Sequence, residues 1–483
     1  MRKSIYGGLI LVCLLCTGRA WAEKEPVVLE IMDGYVSQSK FIDNEIKLFE
    51  KANPDIKIKR NRLTNKRLEE LLTLLFRGDG NIPDLIETRA NSQSWYLHYD
   101  FIRDINTYAE KAGWRRRLPA KYRFLVENLD VYTFPTELQC ANFYMFYNRK
   151  CFKQAGLWDK NKDEPVYPAT MDEFKNSMIK LGQAGEKYGF TGLGLARVNV
   201  PSAGFCEWTV YQGAYSRCAY NFEEVDYRTG RPDMDHPAYV KTMKMLLEIK
   251  RKGGINPDFA SAQDDIMRAR FAMDQVAAVI GGYWNIQEWS NKFPDFKHYD
   301  VRNFPPPDKK GYRGLWRAGV RGGLYYLTKK AKHPDEAFRF IDWLASKEAG
   351  KRYVQYGMGL SIYPENNVKE NFTVPQWEQY FSESRKVTVI GPWQFVQNRK
   401  PDLVKVTMSP VTPNLEEIFM GIMTEMIPED KIEATFKEYN RKFWEKIQEA
   451  FAKAKKEGLD VDLSDLIIPD WPDQLHDYVP KKK

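Results

Sequence analysis

Histidine is scarce in this 483-residue sequence: there are five, none in an H-E-x-x-H arrangement, so no helical pair of imidazoles is offered to a hydrolytic zinc. Cysteine is also rare. The four cysteines beyond residue 22, Cys140, Cys151, Cys206 and Cys218, form no C-x-x-C, which excludes zinc-ribbon and thioredoxin-type chemistry. A G-x-S-x-G nucleophile elbow is absent as well. No apolar run reaches the ~20 residues a membrane span needs. Internal repeats and low-complexity tracts are missing, which argues against an adhesin or a structural exoprotein. Charge is not massed in one sign: the net value is +8, and the basic runs are Arg115–Arg117 and Lys481–Lys483, nothing like a nucleic-acid stripe.

What is present begins with a secretory pattern. Arg2 and Lys3 form a basic start, Ile5 to Leu15 a short apolar stretch and Ala20-Trp21-Ala22 an A-x-A cleavage site, so residues 1–22 read as a signal peptide. A lipoprotein reading would use Cys13 or Cys16, but Val12 and Leu15 stand where a small residue is expected, so a lipid anchor is not expected. Removing Arg2, Lys3 and Arg19 lowers the net charge from +8 to +5, and export permits disulfides, of which Cys206 with Cys218 would bracket one loop; spacing does not fix the connectivity. A remainder of this length suggests two or three domains. Aromatic residues make up 14% of the chain, and many Trp and Tyr sit beside Gly, Pro or polar residues, as on a stacking surface.

In chain order, Val27–Met32 reads as a strand, Asp43–Lys51 as an amphipathic helix, Ile56–Arg60 as a strand, Leu68–Phe76 as a helix and Pro83–Glu87 as a strand. That is a βαβαβ order with parallel pairing. Ligands of such sheets collect beyond the carboxyl ends of the strands, here Asp33–Tyr35 and Thr88–Ser92. Thr170 and Glu173 form a T-x-x-E capping box for a long helix to Ala184. Phe190–Leu195 is a strand, Tyr239–Lys252 a helix, Phe271–Gly282 contains a buried strand, Leu324–Leu327 is a strand and Pro334–Glu348 a helix. Residues 360–410 read as irregular. Helices return over Leu415–Met426 and Ile432–Ala454, where Phe436, Tyr439, Phe443, Trp444 and Ile447 mark a packing stripe.

Val131–Leu157 is the stretch that organises the chain. An apolar segment ends at Phe134-Pro135, a polar step Thr136-Glu137-Leu138-Gln139 follows, and an aromatic strand resumes to Tyr147. Proline lacks the N–H that a central ladder uses, so Pro135 ends one sheet and the chain passes to another domain. The alternative is an ordinary loop. In a crossing, Thr136, Glu137 and Gln139 face a cleft with donor and acceptor types that suit a polyhydroxylated ligand. Gly281-Gly282, followed by Tyr283-Trp284, reads as a second crossing.

Seven motifs in this order resemble the extracellular solute-binding proteins of ABC importers, the group that includes maltodextrin-binding proteins. They are Phe49-Glu50-x-x-Asn53-Pro54-Asp55-Ile56-Lys57-Ile58, Gly80-x-x-Pro83-Asp84-Leu85, Tyr147-Asn148-Arg149-Lys150-x-Phe152-x-x-Ala155-Gly156-Leu157, Pro168-x-Thr170-Met171-Asp172-Glu173-Phe174, Phe271 to Ala278, Gly322-Gly323, and Glu336-Ala337-x-x-Phe340-Ile341-x-Trp343-Leu344. Asp274 stands where the family commonly has Gly. The resemblance implies an α/β fold of two interleaved lobes joined by a hinge, with lobe I at 23–136 and 283–345 and lobe II at 137–282 and 346–483. It implies a non-enzymatic periplasmic receptor, expected as a monomer, that passes a carbohydrate to membrane permease subunits without metal or cofactor. Carried over by position, the ligand set is Asp33, Asn91, Ser92, Glu137, Glu207, Trp208, Trp284 and Tyr363, with Trp316 and Trp393. Rings of these types pack on sugar faces while carboxylates and amides bind hydroxyls. Arg317 and Arg321 flank the Gly-rich segment, where an acidic sugar would pair with a guanidinium.

The same residue types describe a glycosidase cleft. A secreted carbohydrate-active hydrolase therefore stands as the alternative, requiring two carboxylates roughly 5 or 6.5–9.5 Å apart across one bond.

Overall fold

The structure, a computed structural model, describes residues 25–35, 38–77, 81–88, 93–125, 131–138, 143–197, 205–216, 222, 224–318, 320–393, 396, 399–471 and 474–478. The expected signal peptide, with Cys13 and Cys16, lies outside them. So do Asn91, Ser92, Gln139, Cys140 and Cys218.

The chain opens with the expected parallel unit, strands β1 (Val27–Asp33), β2 (Ile56–Arg62) and β3 (Leu85–Glu87), linked by the helices Ser39–Ala52 and Asn65–Arg77. β1 pairs in parallel with both others, Val27 opposite Ile56 and Ile31 opposite Leu85. The two-residue strand β4 (Glu137–Leu138) follows, then β5 (Tyr144–Asn148), a short hairpin of β6 (Trp158–Asp159) and β7 (Glu164–Pro165), and β8 (Thr191–Gly194). After β9 (Val276–Gly281) and β10 (Tyr299–Arg302) come β11 (Trp316–Ala318), β12 (Val320–Arg321), β13 (Tyr325–Leu327) and β14 (Thr388–Ile390). Two four-stranded sheets result, β13-β3-β1-β2 and β10-β5-β9-β8.

Each sheet has its own core. The first packs Leu29, Ile31 and Leu85 against Phe49, Phe340 and Ile341 on one face, and Met32, Ile86 and Tyr326 against Leu68, Leu72 and Tyr96 on the other. In the second sheet β5 and β9 are buried along their whole length, as strands covered on both faces should be. They pack with Phe152, Phe174, Trp289 and the C-terminal helices Leu415–Met423 and Ile432–Lys456, whose stripe Phe436, Tyr439, Phe443 and Ile447 is core.

The helix Met171–Tyr188 shows how local sequence sets these elements. Thr170 caps it by accepting from the Glu173 N–H at 3.2 Å, while the Glu173 carboxylate reaches Ala169 N, one residue earlier than a reciprocal box would have it. Gly189 stops it in the left-handed conformation at φ 78°. The helix runs four residues past the expected Ala184 because Gly182 and Gly185 let it press onto Gly253 and Phe190; a Cβ on Gly185 would lie 1.6 Å from the Phe190 carbonyl oxygen.

The lobe boundaries differ from the expected ones in two places. Gly282 is not a crossing. β9 is paired with β5 and β8, the helix Tyr283–Lys292 puts Trp289 against Phe146, and β10 pairs with β5, so residues 283–316 stay with the second core. Conversely, Tyr353, Ile362 and Tyr363 belong to the first core. The expected helix Pro334–Glu348 breaks at Ala345, and a second helix, Lys347–Gln355, carries Arg352 onto the buried Glu45 at 2.6 and 2.7 Å. Among the described residues, those of 27–134 and 324–358, with Ile362 and Tyr363, therefore pack as lobe I, and those of 143–316 and 372–478 as lobe II. Nor is 360–410 irregular throughout, since it holds the helix Pro375–Val387 and β14.

Candidate functional site

Three passages of the chain between the lobes lie side by side. β4 pairs antiparallel with β12, Glu137 opposite Arg321 and Leu138 opposite Val320. Along the other side of β4 run residues 360–362, with Leu138 N donating to Leu360 O at 2.9 Å and Ile362 N to Thr136 O at 3.1 Å. The polar step after Pro135 is thus the middle strand of a three-chain hinge. Its neighbours approach too closely for side chains: a Cβ on Gly323 would lie 2.4 Å from the Phe134 carbonyl oxygen, and one on Gly359 2.6 Å from the Glu137 Oε1.

Where this hinge meets lobe I there is a cavity of about 180 Å³. Its wall combines the loops after β1 and β3 with the hinge: Tyr35, Gln38, Thr88, Gln93, Thr136 and Glu137, over Gly322 and Gly323. The loops predicted to be neighbours do meet, Tyr35 Oη and Thr88 Oγ1 lying 3.4 Å apart. Tyr35 Oη donates to Leu324 O at 2.7 Å and Thr88 Oγ1 to Gly323 O at 2.7 Å, so both side chains are held by the chain returning from lobe II. Behind them Asp33, fully buried, accepts both guanidinium bonds of Arg60 at 2.8 Å and the Tyr325 hydroxyl at 2.7 Å. The Tyr325 phenol is pushed well above its ordinary value, first by burial and then by the neighbouring Asp33 charge. Asp33 therefore braces the loop that presents Tyr35.

The other expected ligand residues divide into two groups. Glu137, 7% exposed, lines the cavity. On the lobe II side, Trp284 is half-buried just past the end of β9, its indole over Gly282, where a Cβ would lie 2.2 Å from ring carbons. Phe143 meets that indole edge-on at 5.6 Å and donates its N–H to the Glu207 Oε1 at 2.9 Å, so Glu207 and Trp284 share one neighbour. Glu207 itself is wholly buried and holds the start of β5.

Four of the expected aromatic residues lie in packed interiors. Trp208 is fully buried between Phe174 and Phe304 with its N–H donated to Pro305 O. Tyr363 packs on Phe134 and donates to Ala345 O at 2.7 Å, and burial raises its phenol to about 12. Trp316 is buried in β11, and Trp393 stacks on Tyr227 inside lobe II. Arg317 is also interior, facing Glu224 at 3.9 Å with its guanidinium over Trp471.

Gln38, Gln93, Tyr326 and Tyr353 line the cavity without having been anticipated. Alternation along β13 carries a signal for one of them: Tyr325 points to Asp33, so Tyr326 must point to the opposite face, where it meets Tyr96.

Among the described residues no cluster of His, Cys, Asp and Glu is suited to a metal ion, and no helix is long and apolar enough to cross a membrane. Residues 34–351, well over half the chain, match the family model for bacterial extracellular solute-binding proteins. Comparison with curated proteins finds no match. Solved structures are similar in fold at low identity. The GacH receptor of Streptomyces glaucescens, solved unliganded and with acarbose, is 15% identical with a TM-score of 0.64, covering 87% of this chain and 99% of its own. The ABC substrate-binding protein Lmo0181 from Listeria monocytogenes, in complex with cycloalternan, is 17% identical with a TM-score of 0.58, covering 86% and 99%. An ABC transporter solute-binding protein from Thermotoga lettingae, bound with α-D-tagatose, is 17% identical with a TM-score of 0.61, covering 86% and 100%. Such proteins bind their solutes and do not transform them, which sets the hydrolase alternative aside. With two α/β lobes, a three-chain hinge and a polar cavity at its edge, the chain belongs to the bacterial extracellular solute-binding proteins.

Proposed function

We propose that the solute is a carbohydrate, an oligosaccharide or related sugar, captured between the lobes and delivered to the transmembrane subunits of an ABC importer. The protein works as a monomer in the periplasm after loss of residues 1–22. The observation that carries this reading is the composition of the hinge-side cavity. Hydroxyls, amides and a carboxylate, from Tyr35, Gln38, Thr88, Gln93, Thr136 and Glu137, converge there beside the path of the hinge. A ligand rich in hydroxyls supplies both donors and acceptors to such a wall. Trp284 is the aromatic residue we place against a sugar face, because its ring is half-buried at a strand end and not enclosed in a core. Asn91 and Ser92, which precede Gln93 in sequence, are proposed as further ligand residues. Similar folds solved with acarbose, cycloalternan and tagatose support the carbohydrate class.

A thermal-shift screen of residues 23–483 against mono- and oligosaccharides, sugar acids and polyols tests the reading. A ligand at 100 times its dissociation constant stabilises the fold by about 2.7 kcal/mol. We expect a neutral sugar to raise the melting temperature and to be recovered intact. Glu137→Gln and Trp284→Ala should each reduce that shift while leaving the unliganded melting temperature within a few degrees. A screen in which none of these compounds stabilises the protein, while amino acids or peptides run alongside them do, would overturn the carbohydrate assignment.

A further inference from the structure

Lobe II carries a second polar cavity, and none of its lining residues lines the one at the hinge. β10 is the edge strand of the second sheet. Beside its carboxyl end a cleft of about 480 Å³ opens between Tyr167-Pro168, the segment after β10 and the last turns of the helix Pro375–Val387. That volume falls within the ~300–1,000 Å³ of small-molecule sites.

One buried polar atom in its wall has no partner among the described residues, and two further groups keep unused hydrogen-bonding capacity. The Arg302 guanidinium lies over the Tyr167 ring at 4.8 Å and donates to the adjacent Val301 O, but forms no ion pair among the described residues. Asn303 is 8% exposed. Its Nδ2 donates to Glu383 O at 2.9 Å and its main-chain N–H to Glu383 Oε2 at 3.1 Å, which fixes the amide orientation and leaves the buried Oδ1 without a donor. Tyr147, 1% exposed, lines the same space, and its hydroxyl has no hydrogen-bond partner among the described residues.

An unsatisfied buried acceptor is costly and calls for an explanation, of which a bound molecule or ion is one. Glu383 and Lys386 at the rim pair with each other at 2.6 Å, so Arg302 is left as the net positive charge of the cleft. The Tyr167 and Tyr312 rings, with Pro305 and Pro306, supply flat apolar wall. A guanidinium selects a carboxylate. An amide oxygen beside a phenol selects hydroxyls.

We propose that this cleft is a second ligand site, taking one small hydroxylated carboxylate of the sugar-acid class with its carboxylate on Arg302 and its hydroxyls on Asn303 Oδ1 and Tyr147 Oη. The site stands apart from the hinge cavity and does not depend on what that cavity binds.

Calorimetric titration of residues 23–483 with sodium D-glucuronate and sodium D-galacturonate, with D-glucose and sodium acetate as controls, tests it. The expected result is saturable binding of a uronate to one site, with acetate and glucose at least tenfold weaker. Arg302→Gln should weaken uronate binding tenfold or more. Tyr147→Phe removes a single hydroxyl, so it serves as the second variant should the arginine change disturb folding; it should weaken binding severalfold at an unchanged melting temperature. Glu137→Gln at the hinge should leave uronate binding as it is. No uronate binding at concentrations up to roughly 10 mM would overturn the proposal. Acetate binding equal to uronate binding would do the same, as would loss of binding in Glu137→Gln but not in Arg302→Gln.

Discussion

Asp274 shows at single-residue scale how a departure from a family pattern is accommodated. It occupies φ 62°, a left-handed conformation that favours glycine and that aspartate tolerates better than most residues. Its carboxylate has also become a junction, accepting from Asn148 Nδ2 and Lys150 Nζ at 2.7 Å and meeting His298 Nε2 at 2.6 Å. Burial alone would raise its carboxyl, but the hydrogen bonds from Asn148, Lys150 and His298 outweigh it and hold the group below the usual value. A depressed carboxyl contributes stability that is fully present above the unfolded-state value near 3.8 and is lost as pH falls through the folded one. Asp274→Asn should therefore be less stable than the native chain by a margin that holds from pH 7 to about 5 and closes below about 4. Urea midpoints measured across that range check this; a margin independent of pH down to 2 would show that the carboxylate charge does not matter. The left-handed turn was signalled only by the glycine common in the family at this position, since nothing local distinguishes this Asp from one on an exposed helix. Glu137 was legible, because a polar step directly after a proline and between two apolar strands has few places to go except a crossing.

Local periodicity located most elements and failed where pairing over long sequence distances decides the outcome. The βαβαβ start, the capped helix Met171–Tyr188 and the two C-terminal helices follow from patterns within a few residues, and each is present with ends shifted by a few positions. The glycines at the end of β9, Gly281 and Gly282, looked like a crossing for the same local reason. They are there instead because Gly282 lies flat beneath the Trp284 indole and Gly281 against the Asn285 amide. The helix Lys347–Gln355 was not anticipated, since the sequence reading ended the preceding helix at Glu348. Its allegiance to lobe I rests on Glu45, 300 residues away in sequence: Arg352 and the Trp343 N–H converge on that fully buried carboxylate at 2.6–2.9 Å. Glu45→Ala leaves the arginine without its partner and should lower the unfolding free energy by about 3 kcal/mol. Asp55→Asn, which breaks the exposed pair with Arg339 in the same lobe, should change it far less. Denaturant unfolding of both variants makes the comparison, and equal losses would mean that the buried pair does not anchor the helix.

On the scale of the whole molecule, β4, β12 and residues 360–362 join two independently packed lobes in a ladder only two or three residues long. A link that short permits rotation of one lobe against the other with little disturbance of either core, and a ligand touching both lobes shifts the open and closed populations by its differential affinity for them. The residues read from the sequence as ligands fall in different structural settings for the same reason. Positions at strand ends and in the hinge, Glu137 and Trp284, are distinguishable by their setting, whereas Trp208, Trp316 and Tyr363 look alike in sequence but are enclosed by elements that approach from elsewhere in the chain. The most direct test of hinge closure on a carbohydrate is small-angle X-ray scattering from residues 23–483, recorded with and without the neutral sugar that gives the largest thermal shift. A saturable decrease in the radius of gyration that follows calorimetric occupancy, with the sugar chemically unchanged, is the expected result; occupancy that reaches saturation with no change in the radius of gyration would contradict it.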